Sequence, residues 1–170
     1  MNTTNLSAEQ LSVIETQEEA RESYKDFLAS SDDVSFRAAD RALAYVMAGK
    51  ARFTLRSTVT GQRFTYKVVV KGSVAFVSVL TGPDNTASYT YLGTIFDGHT
   101  YRHGRKSPIG PSAPSALAFD WAFKKLAAGQ LPSTLEVHHC GRCGRCGRDL
   151  TVPESIESGL GPECAKRAGF

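Results

Sequence analysis

Cys143 and Cys146 form a CxxC pair, and seventeen residues separate Cys146 from Cys164. All four cysteines of the chain fall within 25 positions, and two of its four histidines, His138 and His139, sit beside them. A zinc ion takes four soft or borderline ligands in a tetrahedron, and a CxxC turn offers two thiolates from one tight bend. Gly144 and Gly147 let that bend form without steric cost. Cys164 returns from a separate element as the third thiolate. The fourth ligand is open between His139, at H-x3-C spacing, and Cys140, at C-x2-C-x2-C spacing. With protein ligands alone the site is closed, so a zinc ion here is structural.

Three other chemistries fit the same residues. A disulfide needs an oxidising compartment, and the amino terminus lacks the basic start and apolar block of a secretory signal. The expected compartment is therefore reducing and cytoplasmic. A redox CxxC follows a strand in a βαβ unit, which this tail lacks. An iron–sulfur cluster draws on the same four ligands and stays open as an alternative.

The residues between the ligands describe a small knuckle. Leu150, Val152, Ile156 and Leu160 offer a miniature core. Thr151-Val152-Pro153-Glu154 reads as a helix start and Gly159 as its stop. Gly161-Pro162 turns the chain so that Cys164 opens a last short helix. This is a treble-clef or zinc-ribbon plan. A unit of this size cannot hold itself together by burial and needs the metal.

The run from Cys143-Gly-Arg-Cys146 through Leu150-Thr-Val-Pro-Glu-Ser-Ile156 to Gly161-Pro-Glu-Cys164 resembles an uncharacterised family of small zinc-binding domains met in bacteriophage and actinobacterial proteins. The resemblance covers about the last 32 residues. It implies a histidine four residues before the first CxxC cysteine, which favours His139, with Cys140 as its substitute. It implies no activity.

The elements that must position this tail are legible upstream. Ser7-Ala8-Glu9-Gln10 fits a capping box for a helix running to about Ala29. A second helix is expected from Ser35 to Ala48, with Phe36, Ala39, Leu43, Val46 and Met47 on its buried face. From Arg52 to His103 the period changes to two, and five strands joined by hairpins follow: 52–57, 63–71, 74–81, 88–96 and 100–103. Asp97-Gly98 makes the tightest of those turns. A third helix, 113–128, capped by Ser112 or Ser115, carries apolar residues on most sides and should pack across the sheet. Leu135–Val137 reads as an extended link to the knuckle. The fold class is α+β: an antiparallel meander of about five strands packed by helices, with the zinc knuckle at the end. Three parts are expected: an acidic helix or arm at 1–33, the α+β domain at 34–134 and the zinc module at 135–170.

Charge divides along the same lines. Residues 1–33 hold eight acidic and two basic side chains, a net of −6, and residues 34–170 hold nine acidic and eighteen basic, a net of +9. On the first two strands Arg52, Arg56, Arg63, Lys67 and Lys71 share one face, interleaved with Thr54 and Thr65. Arg105 and Lys106 add a basic loop, and Arg142, Arg145 and Arg148 recur every third residue around the knuckle. Such rows suit phosphates, though an ordinary solvated sheet face looks the same. Tyr89 and Tyr91 share a face of the fourth strand and would stack on bases if exposed.

Catalysis has little support. Asp84, Asp97 and Asp120 are scattered; His99 and His103 lie near the Asp97-Gly98 hairpin and could form a metal or acid/base cluster with Asp97, though a loop histidine is usually solvated, and no phosphate-cradling loop or nucleophile elbow is present. No membrane span and no small-molecule substrate is indicated. Two readings follow. In one, the protein is no enzyme but grips nucleic acid through its sheet face and knuckle. In the other, it is a phage-encoded modulator that docks on a host protein complex in the host cytoplasm.

Overall fold

The computed structural model describes residues 35–84, 86–150 and 153–168. The helix expected from Ser7 to Ala29 lies outside the described residues, as does the helix start at Thr151 and Val152. Val34–Phe170 form one compact unit. Its frame is a six-stranded antiparallel sheet of β1 (Lys50–Ser57), β2 (Arg63–Lys71), β3 (Val74–Leu80), β4 (Tyr89–Phe96), β5 (Thr100–His103) and β6 (Leu135–His139), in the order β5-β4-β3-β2-β1-β6.

Period-two patterning decides the two faces. Ala51, Phe53 and Leu55 of β1, Tyr66 and Val68 of β2, and Ala75, Val77 and Val79 of β3 point inward and are buried. Their neighbours Arg52, Thr54, Lys67, Phe76 and Ser78 point the other way. The β4–β5 hairpin turns on Asp97 and Gly98, both with positive φ (53° and 75°), a conformation that Asp tolerates and Gly adopts freely. The pairing of β3 with β4 slips after Val77, so that Val77 faces Gly93 and Ser78 faces Tyr91. Leu92 is the extra residue, and it turns into the core.

Two helices cover the inward face. They are α1 (Ala39–Val46) and α2 (Pro114–Ala127). Phe119 of α2 sits at the centre, with ring centroids 5.0 Å from Tyr66, 4.8 Å from Tyr101 and 5.7 Å from Phe123. The buried Tyr66 hydroxyl donates to the Ser115 carbonyl at 2.7 Å, so it is not stranded.

Four expectations need correction. The sheet has six strands, because Leu135–His139 is no free link but pairs with β1 along its whole length. α1 starts at Ala39 and not Ser35: the Phe36 amide is spent on the Val137 carbonyl at 2.9 Å, and Ser35 bridges to His138, so the chain is held extended against β6. Neither Ser112 nor Ser115 caps α2. Ala113 stands at its N-cap with no side-chain bond, and Pro114, needing no amide partner, opens the helix. The same helix is also less enclosed than its composition implies, since Leu117 is 55% and Trp121 43% exposed.

These exposures set an expectation for stability. Phe119→Ala should cost about 3–5 kcal/mol, as for other buried aromatic truncations. Trp121→Ala should cost well under half of that. Urea denaturation of both variants checks it, and equal losses would mean that α2 packs by its other side.

Candidate metal centre

The tail begins on the sheet. His139 pairs with Phe53 at the end of β6, and the Cys140 amide still reaches the Arg52 carbonyl at 3.3 Å. The chain then reverses at Gly141 (φ 73°), and Arg142 bridges to Asp149 across a small hairpin. Inside it the Cys143 amide donates to the Arg148 carbonyl at 2.8 Å and the Gly147 amide to the Cys143 carbonyl at 2.9 Å. Gly147 holds a φ of 77°, which a residue with a Cβ resists. Two short helices follow, α3 (Pro153–Ser158) and α4 (Pro162–Ala168). Gly159 stops α3 at a φ of 71°, and Cys164 falls in the first turn of α4.

This path brings the sulfurs of Cys143, Cys146 and Cys164 within 4.8 Å of one another. Metal–thiolate bonds of about 2.3 Å give a tetrahedron with edges of about 3.8 Å, so a slight contraction closes the triad around an ion. Three close thiols could therefore hold a metal ion. Among the described residues no other group of three His, Cys, Asp or Glu side chains converges in this way.

Electrostatics treat the thiols unequally. Burial pushes the Cys143 thiol up, but amides of Gly161, Cys146 and Arg145 point at its sulfur and together hold it at about 7. Burial pushes Cys164 up as well, and the neighbouring sulfurs of Cys146 and Cys143 take it to about 11. Without a cation the site keeps at least one proton, because adjacent thiolates repel.

Tyr45 fastens the knuckle to the sheet. Its ring lies 5.2 Å from Phe36 and 5.5 Å from His139, centroid to centroid. Gly144 and Gly159 press on the same ring: a Cβ on Gly144 would stand 2.8 Å from it, and one on Gly159 closer still. The Tyr45 hydroxyl donates to the Arg52 carbonyl at 2.8 Å, and the Lys50 amide donates to the Gly144 carbonyl at 2.6 Å. Burial first, and then the Cys140 sulfur beside it, keep that hydroxyl protonated.

The two candidates for the fourth ligand are occupied elsewhere. His139 is 4% exposed, accepts the Gly141 amide at Nδ1 (3.0 Å) and donates from Nε2 to the Ile156 carbonyl at 2.6 Å. Burial lowers its pKa, so the ring is the neutral tautomer that both bonds require. It ties β6 to α3. The Cys140 thiol is half-buried against the Tyr45 hydroxyl. Nothing in the spacing of the sequence distinguishes a histidine with two backbone partners from one with a free nitrogen.

The basic residues divide into groups. Arg52, Arg56, Arg63, Lys67 and Lys71 lie on the sheet face away from α1 and α2, with Arg52 opposite Lys67 and Arg56 opposite Arg63. Arg56 also meets Glu136 at 3.1 Å, and a hydrogen bond from His138, with Arg56 alongside, holds that carboxyl below its usual range. Arg105 and Lys106 are exposed in the loop after β5. Arg142 and Arg145 are exposed on the knuckle, where Arg142 pairs with Asp149 at 3.2 Å. Tyr89 and Tyr91 are half-buried on the sheet face and not in the core. Of the residues weighed for catalysis, His99 turns onto the Asp97 carbonyl at 2.6 Å and His103 onto the Ile109 carbonyl at 2.9 Å, while Asp120 pairs with Lys124. They form no cluster. No helix among the described residues is long and apolar enough to cross a membrane.

Residues 133–169 match the model of a family of unknown function, DUF6011. The match spans β6, the thiol turn and α3 through α4, so the family's unit includes the strand that seats the knuckle. No curated protein and no solved structure matches the chain.

Metal retention should depend on pH in a defined direction. A metal must displace whatever protons the thiols carry. Between pH 7 and 11 the Cys164 proton must leave, and below pH 7 Cys143 gains one too. Affinity should therefore fall by about tenfold more per pH unit below 7 than above it. Competition with a chromophoric chelator from pH 5.5 to 8.5 measures this, and a slope that does not steepen would contradict the assignment.

Proposed function

We propose that the protein binds nucleic acid through the sheet face away from α1 and α2 and that its thiol centre holds a structural zinc ion. One observation carries the first half: the register sets Arg52 against Lys67 and Arg56 against Arg63 on one face. Like charges directly opposite in a sheet are destabilising. Glu136 offsets one of them. A polyanion laid across β1 and β2 would meet this concentration of cations and release its counterions. Lys71 at the end of β2 and Arg102 on β5 extend the row. Arg105 and Lys106 supply a basic loop beside β4, to which Ser107 is bonded through the Tyr91 carbonyl at 2.7 Å. The knuckle arginines support this reading less, since Arg142 is engaged with Asp149.

Zinc is favoured among metals by the donor set, since three thiolates suit it and it brings no redox chemistry. Cys143, Cys146 and Cys164 would hold it. Neither candidate for the fourth place belongs to the converged triad; moving Cys140 there would break its hydrogen bond with Tyr45, whereas His139 would surrender two backbone partners in a buried site. On this reading the ion stabilises the fold and does no catalysis. Cys140→Ala should lower zinc affinity by more than tenfold, and His139→Ala should chiefly lower stability. Zinc titration of both variants decides between them, and the reverse ranking would assign the place to His139.

A protein-binding modulator remains the second reading, and one feature favours it. Val59 and Trp121 line a cleft of about 420 Å³ with Leu55, Phe64 and Leu135, and Leu117 extends the exposed apolar surface.

The nucleic-acid reading predicts a steep salt dependence. Lys67→Ala and Lys71→Ala should each lower the slope of log affinity against log salt by about one. Electrophoretic mobility shifts with DNA and RNA, in single- and double-stranded form, test it across salt. No shift of any of them at about 50 mM salt would reject the proposal.

A further inference from the structure

The sheet face away from α1 and α2 is apolar as well as basic. Phe76 on β3 is 40% exposed and Phe96 on β4 is 37% exposed. The register pairs Phe76 with Thr94 and Phe96 with Val74, so the two phenylalanines are diagonal neighbours on adjacent strands. Side chains so placed are roughly 7–8 Å apart. Each ring has its own cation, with Lys71 Nζ 6.0 Å from the Phe76 centroid and the Arg102 guanidinium 5.7 Å from that of Phe96. At about 6 Å such contacts are at the edge of their range.

Two half-exposed rings side by side on a basic face offer a ligand flat apolar surface next to cations. The tyrosines singled out in the sequence are worse candidates for stacking. Lys67 lies 4.7 Å over the Tyr89 ring, and the Tyr91 hydroxyl is bonded to Thr94 at 2.9 Å.

From this arrangement, and resting on the nucleic-acid reading above, we infer that the ligand is single-stranded, with successive bases stacked on Phe76 and Phe96. A duplex presents phosphates to a broad sheet face and keeps its bases paired, so both rings would meet charge and hydration. A single strand can splay its bases onto the rings while Lys67, Lys71 and Arg102 follow its phosphates. Stacking is tolerant of base identity, and nothing on this face is arranged to read base edges. The shared chemistry is a single-stranded polynucleotide, and DNA and RNA are separate arms of the test.

Fluorescence anisotropy of the full-length, zinc-loaded protein provides that test. The probes are labelled oligo-dT, oligo-U and a mixed-sequence duplex of equal length, all at one salt concentration. At least one single strand should bind about tenfold or more tighter than the duplex. Phe76→Ala and Phe96→Ala should each weaken single-strand binding by about 5- to 150-fold and leave the salt slope unchanged. Both side chains are partly exposed, so the variants should fold, which circular dichroism and zinc content confirm. Phe76→Tyr, which keeps a ring, should restore most of the affinity. If the duplex binds as tightly and the phenylalanine variants are silent while Lys67→Ala weakens binding, the single-strand inference falls and the wider reading stands. If no probe binds, both fall.

Discussion

Three sulfur atoms are held within 4.8 Å of one another. That crowding is the constraint on which the tail depends. The chain makes it tolerable in part, by aiming amides of Gly161, Cys146 and Arg145 at the Cys143 sulfur. It does not make it tolerable for Cys164, whose thiol is pushed to about 11. A divalent cation would remove the conflict, since it would turn mutual repulsion into shared coordination. The elements it would join are otherwise small: α3 has six residues and α4 seven, with no buried side chain in α4.

The knuckle is not an appendage on a tether. β6 brings it to the edge of the sheet, and Tyr45 meets it from α1. Gly144 and Gly159 must be glycines because the Tyr45 ring occupies the space a Cβ would need. The Tyr45 hydroxyl is bonded to the Arg52 backbone, so the anchor of the thiol turn is also the anchor of the strand that begins the basic row. His139 ties β6, the neighbour of β1, to α3. The metal centre and the basic sheet face thus share β1 as a common wall.

Much of this was legible in the sequence. Alternation gives the faces of β1 and β2, an apolar run on both faces marks β3 as an inner strand, Asp97-Gly98 marks its turn, and the convergence of Cys143, Cys146 and Cys164 follows from spacing. What was not legible depended on contacts distant in sequence. β6 is five residues long and reads as a link until β1 is there to pair with it. Ser35 and Phe36 have helical patterning, yet their backbone is captured by β6. Tyr45 reads as one more residue of an amphipathic helix, and only the folded chain shows it fully buried beneath two glycines 99 and 114 positions away. Phe76 alternates as a strand residue should, but the sequence does not say that its face lies away from α1 and α2. The backbone partners of His139 were equally hidden, because its spacing says nothing of the Gly141 amide or the Ile156 carbonyl.

Amide hydrogen exchange before and after chelation tests the central claim most directly. If a cation holds the tail together, stripping it should collapse protection across residues 141–168 while β1 to β4 keep theirs. Protection of the thiol turn and α4 that is unchanged in metal-free protein would show that the sulfurs stay together without an ion, and the account would fail.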